Sequence, residues 1–160
     1  MGAHSDRHLL YNDWNKRDST LVKRGDFEKD LLSNYKEITG YGIDAGKARF
    51  FLPPYEWYNR EVVSWAKQLG LTTVNFTPGI RTNADYTTPD MPNYRSSGQL
   101  MIDLKQFESK DPNGLNGAFI LIHLGTSPLR TDKFYLQLDD MQQYLTAKGY
   151  QLCSLSDVNP

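Results

Sequence analysis

The chain has 160 residues, of which 39% are apolar and 12% aromatic, a size and composition that suit one globular domain and argue against disorder. Its 18 basic and 19 acidic residues nearly cancel, so no overall charge draws it to nucleic acid or to an anionic membrane. No apolar stretch is long enough to span a bilayer, and the first residues lack the basic and apolar pattern of a signal peptide.

The first half of the chain is predicted to alternate helices with short strands. Apolar residues at three- and four-residue spacing from Phe27 to Ile38 predict an amphipathic helix, with Asp26 as its N-cap and Gly40 at its end. The elements predicted next are a strand at 48–52 closed by two prolines, a helix at about 60–69, and a β-branched strand at 71–76.

The second half continues the alternation after a long loop. Proline, glycine, asparagine and aspartate are dense at 77–93, so this segment is predicted to be a long loop, and long loops often carry function. The elements predicted after it are a helix around 100–107, a fully buried strand at 118–123, a helix at about 134–145 ended by Gly149, and a strand at 150–155. Cys153, in an apolar stretch, is predicted to be a small buried side chain rather than a nucleophile.

This alternation predicts an α/β fold with a parallel sheet that is covered on both faces or closed into a barrel. In such sheets ligands bind at the carboxyl ends of the strands. The segments that follow three of the predicted strands begin at Pro53, Asn75 and His123, and we expect these three segments to converge on one face.

Three histidines are the candidate chemical groups. His4 and His8 are four residues apart, a spacing at which two side chains can reach one metal ion. Zinc binds imidazole readily, but a catalytic zinc needs three protein ligands, so the pair is an incomplete site. The alternatives are a solvated helix face or a start sequence MGAH introduced by a cloning vector. His123 ends an apolar strand and is a structural histidine unless a partner is found.

Taken together, three short motifs resemble the NodB-type polysaccharide deacetylases, carbohydrate esterase family 4 (CE4). The motifs are HSDRH at 4–8, LPPYEWYN at 52–59 and ILIH at 120–123, in that order. The resemblance implies a distorted (β/α) barrel, of which residues 1–160 would form a single partial domain containing its C-terminal portion. It also implies a divalent metal, usually zinc, that removes N- or O-acetyl groups from polysaccharides.

The resemblance assigns a role to each motif. His4 and His8 would be metal ligands, and His123 would be the general acid. The backbone amide of Tyr55 would bind the oxyanion, and Leu121 would help to form the pocket for the acetyl methyl group. The other implied substrate-binding residues are Pro54, Trp57 and Tyr58. Aromatic rings suit the apolar faces of sugars, although Trp57 and Tyr58 could equally pack in the core.

Departures from the family pattern affect the catalytic residues. The paired aspartates of the family, a base and a metal ligand, precede the first histidine motif in other members and are absent from this sequence. Leu52 stands where the family has arginine, Glu56 stands where it commonly has glycine, and Asp85 is only a weak candidate for its fourth motif. We therefore expect a portion of a deacetylase that lacks its base and third ligand and is inactive alone.

Three functional hypotheses follow from these motifs. The first is a metal-dependent deacetylase, the second a carbohydrate-binding module or pseudoenzyme, and the third an unrelated α/β interaction domain with incidental histidines. The expected partner is an acetylated polysaccharide or oligosaccharide, with no nucleic acid and no membrane span. An exposed sheet edge would favour a homo-oligomer. The family resemblance implies a secreted, periplasmic or cell-envelope location.

Overall fold

A small parallel sheet organises the first half of the chain in the computed structural model, which describes residues 2–157. Its strands are β1 (Gly2–Ala3), β2 (Phe50–Phe51) and β3 (Thr72–Thr73), in the order β1-β2-β3. Helix α1 (Arg24–Gly40) lies in the connection from β1 to β2, and α2 (Arg60–Gln68) in the connection from β2 to β3. Parallel neighbours require long crossovers of this kind.

Residues 2–75 form one compact unit with its own core. Phe27 and Leu31, four residues apart on α1, are buried there with Phe51 of β2. The other buried apolar members of this core are Ala3, Tyr11, Val62 and Ala66. Because β2 is the central strand, the residues that follow it leave the sheet next to this core.

Residues 76–157 form a second unit built on two further helices. These are α3 (Ser97–Lys110) and α4 (Leu138–Ala147), and short 3-10 turns lie at Thr82–Tyr86, Phe134–Gln137 and Leu155–Asp157. The core of this unit consists of Ile80, Leu100, Met101, Leu104, Leu115, Phe134, Met141 and Leu145. None of the helices among residues 2–157 has the length and apolar character needed to cross a bilayer.

The structure is mixed α/β, as predicted, with four helices at the predicted places and one parallel sheet. The described residues form a sheet of three short strands rather than a closed barrel. Helix α1 begins before its predicted cap, so that Asp26 lies in the first turn and Lys23 is the N-cap. The long segment 77–93 contains the 3-10 turn at Thr82–Tyr86.

Two predicted strands are wrong. Residues 118–123 are half-buried and belong to no strand, although the Thr77 N–H donates to the Phe119 carbonyl at 2.9 Å. Residues 150–155 also form no strand, and Cys153 is exposed rather than buried. In both segments apolar sequence alone suggested a ladder, but a strand also needs a partner along its length.

Asn59 caps α2 and ties it to the preceding loop. Its Oδ1 accepts from the Val62 N–H at 3.0 Å, and its Nδ2 donates to the Arg17 carbonyl and to Thr20 Oγ1. We expect Asn59→Ala to lower the free energy of unfolding by about 1–2 kcal/mol, since it removes a cap and leaves its partners unpaired. Urea denaturation followed by circular dichroism measures this change.

Asn59→Asp is the matched variant, because a carboxylate keeps the cap acceptor and loses only the donated bonds. Asn59→Asp should lower the free energy of unfolding by less than Asn59→Ala does. Equal stability of Asn59→Ala and the unsubstituted protein would contradict the role assigned to this cap.

Candidate functional site

The histidine loop, residues 4–8, directly follows β1, at the carboxyl end of the strand. His4 Nδ1 lies 2.7 Å from the Leu52 carbonyl oxygen, and Leu52 directly follows β2. The His4 and His8 ring centroids are 5.1 Å apart, and the Tyr55 ring lies 4.4 Å from that of His8. The structure therefore brings three predicted site residues together at the ends of two parallel strands.

The loop is not helical, so the interpretation of the histidines as a solvated helix face is wrong. Ser5 has φ +87° and His8 has φ +52°, values of the left-handed region that side chains larger than glycine rarely adopt. Such a conformation persists only where surrounding contacts impose it, and it is common at ligand sites.

Helix α1 supplies those contacts through two polar side chains one turn apart. Asn34 Oδ1 accepts from the His4 N–H at 3.1 Å. Asp30, 1% exposed, accepts a hydrogen bond from the Ser5 hydroxyl and another from the Arg7 N–H at 3.0 Å. Ser5 Oγ in turn accepts from the His8 N–H at 3.1 Å. One face of α1 thus holds the loop at both histidines.

The two imidazoles suit two ligands of a divalent metal. A backbone carbonyl on Nδ1 of His4 is the kind of contact that orients metal-ligating histidines. Among residues 2–157, however, no group of three histidine, cysteine, aspartate or glutamate side chains could hold a metal ion. The described residues therefore do not fit a complete catalytic metal centre, and this geometry assigns no reaction step to a metal.

The turn after β2 presents Tyr55 beside the histidine loop. Tyr55 has φ +58° and is 45% exposed, while Pro54 before it is buried. After the next strand, Asn75 donates from Nδ2 to the Glu56 carbonyl at 3.1 Å. The loops after β2 and β3 therefore meet, as predicted for the carboxyl ends of neighbouring parallel strands.

An aromatic cluster extends from Tyr55. Trp14, 54% exposed, lies 5.6 Å from the Tyr55 ring and stacks on Trp57 at 5.6 Å with an interplanar angle of 28°. The Arg17 guanidinium covers Trp57 at 4.4 Å from the ring centroid. Tyr58 instead packs partly buried against the core of the first unit. Trp57 thus belongs to a surface aromatic group and Tyr58 to the packing beneath it.

In the second unit, the 3-10 turn at Thr82–Tyr86 holds His123. Asp85 is fully buried, and its Oδ1 lies 2.6 Å from His123 Nδ1 while its Oδ2 accepts from the His123 N–H at 2.7 Å. A buried carboxylate on one ring nitrogen fixes the imidazole orientation. The weak candidate Asp85 is therefore the partner of His123, and the pair can act as an oriented proton donor.

The residues before His123 position it on the core. Ile120 and Ile122 pack against the core of the second unit, and Leu121 between them is half-buried. This alternation resembles that of a strand even though the segment joins no ladder. The third segment expected at the strand ends thus belongs to the second unit.

Backbone strain coincides with these segments. Within residues 2–157, the non-glycine residues with positive φ are Ser5, His8, Tyr55, Glu56 and Arg81. The first four lie in the two motifs of the first unit. Arg81 precedes the turn that holds Asp85, as the N-cap of that turn.

One solved structure shares this arrangement of elements. It is a CE4 family pseudoenzyme from Bacillus anthracis, similar at a TM-score of 0.63 and 19% identity over 94% of this chain. This chain has a CE4-like fold. The similarity covers 42% of the other protein's chain, and at 19% identity it shows the fold alone. No family model and no curated protein matches the sequence.

The sequence prediction missed three residues of this CE4-like chain. Asp30 and Asn34 lie four residues apart on α1, and Asp30 is three residues after buried Phe27. A carboxylate at core spacing on an amphipathic helix is a signal that could have found them. Trp14 had no such signal, since its place beside Trp57 depends on the loop between β1 and α1.

Proposed function

We propose that this chain is part of a NodB-type deacetylase that removes acetyl groups from a polysaccharide with a divalent metal, zinc being the candidate. The observation that carries the proposal is the Asp85–His123 pair. A buried carboxylate that makes two hydrogen bonds to one partly exposed histidine holds the imidazole in one orientation, which suits proton transfer. The oriented imidazole suits protonation of a departing amine or alcohol.

The histidine loop would contribute to the metal site. His4 and His8 would supply two imidazole nitrogens, which are ligands of a type that zinc binds readily. When bound, the metal would polarise the acetyl carbonyl and activate water. Residues 2–157 contain no group of three metal-ligating side chains, so the proposal assigns only these two ligands to the described residues.

Each unit carries a further residue that the proposal assigns to the acetyl group. The amide of Tyr55 is the proposed oxyanion donor, in a left-handed turn that follows buried Pro54. Leu121 is the proposed contact of the acetyl methyl group. Trp57, stacked with Trp14 at the surface, is the proposed sugar-stacking residue.

Acetate release from acetylated oligosaccharides tests the proposal. We expect the 160-residue chain to be inactive even with added zinc, and the natural polypeptide that contains it to release acetate in a zinc-dependent way. His123→Ala in that polypeptide should lower kcat about 100-fold, because an oriented general acid is lost. Asp85→Asn should also lower kcat.

The matched control is Asp139→Asn, which removes an exposed carboxylate from the first turn of α4. Its kcat should equal that of the unsubstituted protein. Absence of zinc-dependent acetate release from the natural polypeptide would refute the deacetylase.

That negative outcome would favour the second candidate, a carbohydrate-binding pseudoenzyme. Its supporting observations are the incomplete metal group among residues 2–157 and the solved CE4 neighbour, which is itself a pseudoenzyme. The exposed Trp14–Trp57 stack suits glycan binding without catalysis. Oligosaccharide binding that survives His123→Ala and needs no zinc would identify this function.

The same proposal covers the binding partner, the location and the self-association of the protein. The partner is an acetylated glycan, the location is secreted, periplasmic or cell-envelope, and copies associate through an edge strand of the sheet. Strands β1 and β3 are the two edges of the described sheet. Light scattering at high protein concentration measures that association.

A further inference from the structure

Two adjoining cavities in the second unit share the side chains of Arg81 and Arg95. The larger, about 720 Å³, also has Tyr86, Tyr94 and Gln99 in its wall. The smaller, about 500 Å³, continues along α3. We call the two together the Arg81 groove. Its size suits at least one sugar ring.

Among the groove's cations within residues 2–157, Arg81 and Lys110 form no ion pair, and Arg81 is the one that lines both cavities. Arg95 is neutralised by Asp103, with Nη1 2.9 Å from Oδ2. The exposed Arg81 guanidinium makes no hydrogen bond or ion pair within residues 2–157. A guanidinium in a concave polar wall is a specific receptor for a carboxylate, which it binds through two parallel hydrogen bonds.

The backbone fixes Arg81 relative to the Asp85–His123 pair. Arg81 has φ +69° and caps the 3-10 turn, where its carbonyl accepts from the Ala84 N–H at 3.0 Å. The same turn carries Asp85 and Tyr86. A left-handed arginine is costly, and such strain tends to persist where a side chain has to be presented to a ligand.

Tyr86 joins the groove to the histidine. Its ring is 47% exposed and meets the His123 ring edge-on, with centroids 6.0 Å apart. The wall of the groove therefore passes from the neighbour of His123 to Arg81. Tyrosine rings and amide side chains such as Gln99 suit the faces and hydroxyl groups of sugars, which favours a glycan over an acidic peptide.

We propose that the Arg81 groove binds a uronic acid residue, so that the glycan recognised by this protein is an acidic polysaccharide. The proposal rests on the proposed function, because it names the substrate class of the glycan that would reach His123. Arg81 is the specificity-determining residue. Its guanidinium pairs with the sugar carboxylate while Tyr86 contacts the ring that lies closer to His123.

Binding of oligosaccharides without acetyl groups tests this proposal separately from deacetylation. Calorimetry on the 160-residue chain compares oligogalacturonate and oligoglucuronate with their neutral methyl esters. We expect at least one acid to bind about tenfold or more tightly than its ester, because a charge-assisted bidentate contact is lost on esterification. Arg81→Gln should abolish the difference, and Arg81→Lys should retain part of it.

Arg60→Gln, which removes an exposed arginine from the start of α2, is the matched control and should keep the preference for the acid. Circular dichroism melting establishes that Arg81→Gln is folded. Equal affinities for acid and ester, no binding of either acid, or a preference that survives Arg81→Gln would each overturn the proposal. None of these binding results depends on acetate release. The proposed deacetylase activity can therefore be refuted while the uronic acid proposal holds, and the uronic acid proposal can be refuted while the deacetylase activity holds.

Discussion

Replacing Arg130 by methionine is expected to lower the free energy of unfolding by about 3–5 kcal/mol, the range for breaking a buried charged network. Arg130 is fully buried, and its Nε donates to the Asp132 carbonyl at 2.7 Å. Its Nη1 donates to the carbonyls of Thr87 and Arg95, at 2.8 and 3.0 Å. One side chain therefore ties its own segment of the second unit to Thr87 and Arg95, which lie 43 and 35 positions earlier in the chain.

The loss would extend to the Asp132 carboxylate, which Arg130 partly neutralises. Burial raises the pKa of Asp132, but the hydrogen bonds from the Ser97 hydroxyl and N–H, with the Arg130 charge, outweigh it and hold that pKa below its usual value. A lowered folded pKa means that this stabilisation is present above the unfolded pKa of about 4 and is lost as the pH falls through the folded pKa.

Urea denaturation at pH 7 measures the effect of Arg130→Met. Arg60→Met is the matched control, since the same change at an exposed site should cost less than about 0.5 kcal/mol. The loss in free energy of unfolding for Arg130→Lys should lie between those of Arg130→Met and Arg60→Met, because an ammonium keeps the charge but cannot reach the same set of acceptors. A methionine variant as stable as the unsubstituted protein would show that these hydrogen bonds do not contribute to stability.

The helices could be predicted because each is encoded within its own residues. On α1 the spacing of Phe27 and Leu31 indicates a buried face, and on α2 Asn59 marks the first turn. The spacing of apolar residues and the capping residue are properties of the local sequence. They therefore predict each helix correctly, although the observed ends differ from the predicted ones by a few residues.

The strands were harder to predict because a ladder depends on residues that are distant in the chain. The segment 118–123 is as apolar as a buried strand, yet the hydrogen bonds between Phe119 and Thr77, 42 positions apart, do not extend into a ladder. Gly2 of β1 pairs with Phe50 of β2, and a Cβ at Gly2 would collide with the Phe50 carbonyl oxygen, so the pairing needs glycine there. Nothing in the local sequence around Gly2 indicates that approach.

The candidate site likewise contains residues that the sequence indicates and residues that it does not. Residues of the histidine loop could be named from short motifs, but their supports could not. Asp85 pairs with a histidine 38 positions away, and Asp30 with Ser5 at a separation of 25. Such pairs depend on the tertiary structure, so the sequence cannot identify the two partners. It can only indicate a candidate, which is an acidic residue at a position where an apolar residue would be expected.

Asp30→Asn should release the histidine loop from α1 and lower the free energy of unfolding by about 2–3 kcal/mol, since hydrogen bonds to a charged acceptor are the strong ones. Burial raises the pKa of Asp30, but hydrogen bonds from Ser5 and Arg7 lower it more, so the folded pKa lies below its usual value. The difference between the two proteins should therefore be full at pH 7 and shrink as the pH falls below about 4.

Asp26→Asn, an exposed change in the first turn of α1, is the control and should lack this pH dependence. Amide resonances of the histidine loop provide a second measurement, because the His8 N–H donates to Ser5, which itself depends on Asp30. Faster hydrogen exchange at His8 in Asp30→Asn, with α4 unchanged, is the expected signature of a local release. Uniformly faster exchange would mean that Asp30 supports the first unit as a whole and does not specifically position the histidines.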